Sequence, residues 1–124
     1  MRKIYLCAIG LAAVLLFGSC RSLAPTESGI PLRVKSGKIF TVVISSNPTT
    51  GYQWKLLGGL DPSHAVFDRQ EYKPLGRALG SGGKDVWYFK AAEPGSFTLH
   101  FAQFPPKTGA EPVMRLDFTV IVHR

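Results

Sequence analysis

Cysteine is almost absent: the 124 residues hold two, Cys7 and Cys20, both near the amino terminus. Everything downstream is therefore without a disulfide framework, a thiolate metal site or a cysteine nucleophile. Histidine is scarce as well. His64, His100 and His123 lie far apart in the chain, and each reads as a solvated surface residue, because metal ligation would require them to converge. Gly-x-Ser-x-Gly elbows, His-Glu-x-x-His helices and close carboxylate pairs are missing. No enzyme, catalytic residue, metal or cofactor is expected. Charged residues make up only 19%, and Arg33, Lys35, Lys38, Lys55, Arg69, Lys73, Arg77, Lys84 and Lys90 stand singly rather than in the clusters of a nucleic-acid arm. They read as a solvated, generally basic surface, and no nucleic-acid partner is expected. The apolar run from Ile4 to Phe17 falls short of the roughly 20 residues a spanning helix needs.

That run instead follows Arg2 and Lys3 and leads through small residues to Cys20, the layout of a secretory signal. It resembles a bacterial lipoprotein signal, with Leu16-Phe17-Gly18-Ser19-Cys20 as the cleavage box and Cys20 as the lipid-modified first residue. The resemblance implies a lipoprotein-type signal over 1–19 and a protein exported and lipid-anchored in the bacterial cell envelope, facing the periplasm or the surface. Residues 20–29 then read as lipid anchor and tether: the stretch from Arg21 is polar and carries Pro25 and Gly29. Without Arg2 and Lys3, 13 basic residues face 8 acidic ones, a net charge of about +5.

What remains, residues 30–124, is one domain's worth of chain. Eight Phe, four Tyr and two Trp give it enough apolar surface to offset the entropy lost on folding. Helix signals are nearly absent. Short β-branched and aromatic runs bounded by Gly, Pro, Asn and Asp predict seven strands, at about Ile30–Val34, Ile39–Ser45, Tyr52–Leu57, Ala65–Tyr72, Asp85–Ala91, Ser96–Phe104 and Val113–Val122. Phe97, Leu99 and Phe101 alternate with Thr98 and His100, and Leu116, Phe118, Val120 and Val122 with Asp117, Thr119 and Ile121, so each strand should bury one face. The expectation is an all-β, immunoglobulin-like β-sandwich, with a closed barrel as the alternative.

Three connections carry the chemistry, and a sandwich of this topology can gather them at one end. The first is Asn47-Pro48-Thr49-Thr50-Gly51-Tyr52, followed by Gln53 and Trp54. Asn47 can bond its own turn, Pro48 fixes a torsion and Gly51 permits a left-handed conformation. A loop stiffened in this way loses little entropy on meeting a partner, although an ordinary tight turn accounts for the same residues. Trp54 reads as core; Tyr52 serves core or surface equally well. The second connection, around Gly80-Ser81-Gly82-Gly83-Lys84, is no phosphate loop, because Ala78 stands where the motif needs glycine and Asp85 where it needs Ser or Thr. Its glycines expose backbone to another protein, or simply form a flexible hairpin. In the third, Gln103-Phe104-Pro105-Pro106 sets an aromatic ring beside rigid prolines, an interface anchor or a wedge closing the sandwich.

At these residues the sequence resembles the chagasin family of inhibitors of papain-like cysteine peptidases. The run Asn47 to Tyr52 with Trp54 matches the family's first motif in full; Gly80, Gly82, Gly83, Trp87, Phe89, Lys90 and Ala91 match the second, and Gly95 and Leu99 fit the turn and strand that follow. The family's third motif, Arg-Pro-Trp, is not kept: Gln103-Phe104-Pro105 stands there, or with a one-residue slip Phe104-Pro105-Pro106, with Phe104 as the substitute aromatic. The resemblance implies a monomer that inhibits papain-like cysteine peptidases reversibly and tightly. Asn47, Pro48, Thr49, Thr50, Gly51 and Tyr52 would bind the peptidase, with Thr49 to Gly51 over the catalytic Cys and His, braced by Gly80, Ser81, Gly82 and Gly83 and by Gln103, Phe104 and Pro105. An exported β-sandwich module binding carbohydrate or a surface protein is the alternative.

Overall fold

Strand-forming runs separated by turn residues fold here into two facing sheets. The computed structural model describes residues 24–78 and 80–124; the expected signal over 1–19, Cys20 and Leu79 of the second connection lie outside the described residues. The strands are β1 (Leu32–Lys35), β2 (Ile39–Ser46), β3 (Gln53–Leu57), β4 (Ala65–Pro74), β5 (Gly83–Ala91), β6 (Gly95–Phe104) and β7 (Met114–His123). One sheet has the order β1-β7-β6-β3 and the other β2-β5-β4. The pairing is antiparallel except where β1 lies parallel to β7. All seven predicted strands are present in an immunoglobulin-like sandwich, with no end differing by more than two residues: β1 starts at Leu32 and not Ile30, β4 ends at Pro74 and not Tyr72, and β5 starts at Gly83 and not Asp85.

Alternation decides what lies between the sheets. Phe97, Leu99 and Phe101 of β6, with Phe118, Val120 and Val122 of β7, meet Phe40, Val42 and Ile44 of β2 and Trp87, Phe89 and Ala91 of β5 in one core cluster. Aromatic rings dominate it: Trp87 meets Phe101 edge-on at 5.1 Å, and Phe101 meets Phe118 at 5.7 Å. Among the described residues the cluster runs from Val34 to Val122. Trp54 Nε1 on β3 donates to the Ser45 carbonyl on β2 at 3.2 Å. This bond satisfies a buried indole and joins the two sheets just below the first connection.

Strand β4 departs from simple alternation. A bulge between Phe67 and Arg69 puts Asp68 out of register, so Phe67, Gln70 and Tyr72 fall in line with Phe89, Trp87 and Asp85 on the inner side. Arg69 and Glu71 are thereby kept outside, where Arg69 pairs with Asp68 and Glu71 and covers the Tyr88 ring at 3.8 Å. Unbroken alternation from Phe67 would have turned both charges into the sandwich. His64 also differs from expectation: it is half-buried, stacked on Phe97 with ring centroids 5.0 Å apart. A flat imidazole on an aromatic face buries surface that a solvated residue would leave wet. In the segment read as tether, Thr26 is tied to the edge of β2, its N–H donating to the Val43 carbonyl and its hydroxyl accepting from the Val43 N–H, both at 2.8 Å. Those bonds occupy part of an otherwise open sheet edge.

Candidate functional site

The three connections meet at one end of the sandwich. The first is a single 3₁₀ turn, Pro48–Thr50, capped by Asn47 in front and by Gly51 behind. Asn47 Oδ1 accepts from the Thr49 N–H at 3.3 Å and the Thr49 hydroxyl at 2.5 Å. The Thr50 hydroxyl donates to the Asn47 carbonyl at 2.7 Å, and the Gly51 N–H to the Pro48 carbonyl at 3.0 Å. The turn therefore satisfies its own polar groups before any partner arrives. Pro48, Thr49, Thr50, Gly51 and Tyr52 are all exposed, so this self-braced turn projects a surface.

Two further contacts lock it to its neighbours. Asn47 Nδ2 donates to the Gly80 carbonyl at 3.2 Å, joining the first connection to the second. Gly51, at φ 82°, approaches the third so closely that a Cβ on it would lie 2.9 Å from Pro106 Cβ. Only glycine meets both demands, the left-handed backbone and the close approach. Asn47, Thr50, Gly82 and Gln103 line a common hollow of about 430 Å³ among the three connections.

The second connection spans 75–82 and is closed by the Leu75 N–H donating to the Gly82 carbonyl at 3.0 Å. Gly80 and Ser81 are exposed and Gly82 half-buried. Gly83 is not a loop residue: it opens β5, is buried, and a Cβ there would strike the Lys73 carbonyl and lie 2.6 Å from Tyr72 Oη. It supports the loop and presents no surface of its own. In the third connection Phe104 ends β6, half-buried like Gln103 and Pro105. Lys55 Nζ lies over the Phe104 ring, 5.2 Å from its centre, so Phe104 neither stands free nor fills the core. The sequence did not point to Lys55, and it marked Pro106 only as a rigid neighbour of Phe104. The spacing of Gln53 and Lys55 on one face of β3 could have pointed to Lys55, whereas the role of Pro106 becomes visible only through its contact with Gly51. Among the charged residues of the three connections, Arg77 and Lys107 outnumber Glu111, and Lys84 stands beside them near the start of β5. Among the described residues, no group of three His, Cys, Asp or Glu side chains could hold a metal ion.

Comparison with known proteins agrees with this architecture. The profile of the chagasin family peptidase inhibitors I42 matches residues 33–122. Chagasin from Trypanosoma cruzi is 28% identical over 87 residues, 67% of this chain and 79% of that protein. The crystal structure of a cysteine protease inhibitor from Entamoeba histolytica has the same fold, with a TM-score of 0.59 at 19% identity over 75% of this chain and 85% of that one. The profile begins in β1 and ends in β7, enclosing the whole sandwich and all three connections: the chain belongs to the chagasin family of peptidase inhibitors, which are not enzymes.

Proposed function

We propose that this chain inhibits papain-like cysteine peptidases reversibly and tightly, by laying its three connections into the active-site cleft as one wedge. The observation that carries the reading is the mutual locking of the loops through Asn47–Gly80 and Gly51–Pro106. A wedge assembled in advance loses little conformational entropy on binding. The 3₁₀ turn also explains why the inhibitor would survive its target, since Pro48–Thr50 is coiled and cannot lie through the cleft in the extended form of a substrate. Thr49 and Thr50 at the apex would cover the catalytic Cys and His, with Gly80–Gly82 and Gln103–Pro105 on the flanks. No covalent bond is needed; exclusion of water and substrate over about 800 Å² per partner suffices. The domain acts as a monomer in this scheme.

The test is a titration of residues 24–124 into papain with a fluorogenic substrate, beside the variant Thr50→Arg. Competitive, dilution-reversible inhibition that the variant loses supports the wedge. Equal inhibition by both proteins, or none by the parent, removes it.

Export and lipid attachment at Cys20 complete the proposal, resting on the charged start, apolar run and small residues that precede that cysteine. Radiolabelled palmitate should enter the parent chain in a bacterial host and not the Cys20→Ser variant; equal labelling of both contradicts it.

A further inference from the structure

The side of the sandwich between β3 and β4 is open. Each of these strands is the outer strand of its sheet, and the bulge in β4 turns Phe67, Gln70 and Tyr72 toward the gap. The result is a groove of about 730 Å³, a size suited to a small ligand. Trp54, Phe67, Tyr72 and Trp87 give it aromatic walls. Ser46, Gln53, Lys55 and Gln70 also line it, and two buried polar groups stand out. Asp85 is only 7% exposed, and Trp87 Nε1 is buried with no hydrogen-bond partner among the described residues. They lie two residues apart on one face of β5, about 7 Å from each other along the strand.

Neither group is explained by the core or by peptidase binding. Buried indole N–H groups ordinarily find an acceptor. Buried carboxylates ordinarily find a cation, yet the hydrogen bonds acting on Asp85 come from the neutral Ser46 and Gln70 side chains. Burial pushes the Asp85 carboxyl up from its ordinary range, opposed only in part by those bonds. Lys55, which also lines the groove, has its ammonium over Phe104, on the outer face of β3.

We propose that this groove binds a small aromatic amine, with its ammonium on Asp85 and its ring against Trp54, Phe67 and Tyr72. The amino-terminal aromatic residue of a short peptide has this chemistry. A saccharide fits less well, because it carries no cation to set against the buried Asp85. Pro48 and Tyr52 line the groove as well, so its occupant touches the base of the inhibitory turn.

The test is nuclear magnetic resonance titration of ¹⁵N-labelled residues 24–124, following the indole N–H signals of Trp54 and Trp87. Phenylalaninamide should give a saturable shift of the Trp87 signal with a Kd of about 1 mM. N-acetyl-phenylalaninamide, which lacks the cation, should bind at least about tenfold more weakly to the parent, and so should phenylalaninamide to Asp85→Asn. The dispersion of the backbone amide spectrum shows that the variant is folded. The proposal is overturned if the Trp87 signal stays still to about 10 mM phenylalaninamide, if the acetylated probe binds equally well, or if glucose binds in preference to either. None of these outcomes depends on peptidase inhibition, so this site and the wedge fail separately.

Discussion

Replacing Gly51 by alanine should damage the inhibitory end through two separable effects. At φ 82° the alanine would sit in the left-handed region, at a cost of about 1–2 kcal/mol. Its Cβ would also fall 2.9 Å from Pro106 Cβ and 3.3 Å from Pro106 Cγ, well inside the roughly 3.5–4.0 Å at which carbon atoms rest. A proline ring cannot turn aside as a long side chain would, so the first and third connections must separate by several tenths of an ångström. Gly58 supplies the control. It has φ 72° and nothing within 4 Å of its would-be Cβ, and it follows β3 at the end remote from the three connections. Gly58→Ala should therefore cost only the backbone part, about 1–2 kcal/mol, with inhibition unchanged. Gly51→Ala should cost more in urea denaturation and raise the inhibition constant about tenfold or more, the equivalent of about 1.4 kcal/mol. Adding Pro106→Gly to Gly51→Ala should recover the contact part alone, as a double-mutant cycle would report. Equal stability losses at Gly51 and Gly58, with inhibition intact in both, would refute the claim that the close approach holds the wedge together.

Asn47→Ala removes the acceptor of two bonds within the turn and the donor to Gly80; inhibition should fall with a stability loss of about 1 kcal/mol, and a peptidase titration showing unchanged affinity would deny Asn47 its bracing role. Trp54→Phe keeps the ring but strands the Ser45 carbonyl, so denaturation should report a loss of about 1–3 kcal/mol. Because burial raises the Asp85 carboxyl above 3.8 in the folded chain, the unfolded chain gives up that proton first as pH rises, and folding loses stability from about pH 4 upward until the raised value is passed. Asp85→Asn should accordingly be the more stable protein near pH 7, by a margin that closes as pH falls to about 3.5; a margin independent of pH in paired urea melts contradicts this. Arg77, Lys84 and Lys107 around the wedge predict that association with a peptidase of acidic rim slows as salt rises while dissociation changes little, and stopped-flow rates at two salt concentrations decide it.

The alternation of β6 and β7 was legible because period two alone puts Phe97, Leu99, Phe101, Phe118, Val120 and Val122 on the buried face, whereas Ala102 is buried out of phase. The 3₁₀ turn was equally readable, since Asn47, Pro48 and Gly51 each favour one backbone state locally. The bulge at Asp68 was hidden: nothing in Ala65–Pro74 marks the extra residue, and it emerges only when Arg69 and Glu71 must be kept out of the sandwich. Gly83 read as loop because its run of neighbours is glycine, whereas Tyr72 and Lys73 across the sheet determine its place. His64 read as solvent-exposed because Phe97, on which it stacks, lies far away in the chain. The contacts of Gly51 with Pro106 and of Lys55 with Phe104 depend on strand order and register, quantities that composition and spacing do not carry.

The wedge itself is tested most directly by asking whether binding needs an open cleft. Residues 24–124 can be titrated by calorimetry into papain whose catalytic cysteine has been blocked by a bulky alkylating group, and into the unblocked enzyme held inactive by a small one. Binding to the unblocked enzyme with loss of binding to the blocked one is the expected result. Equal affinity for both would place the interface away from the cleft and contradict occlusion by the three connections.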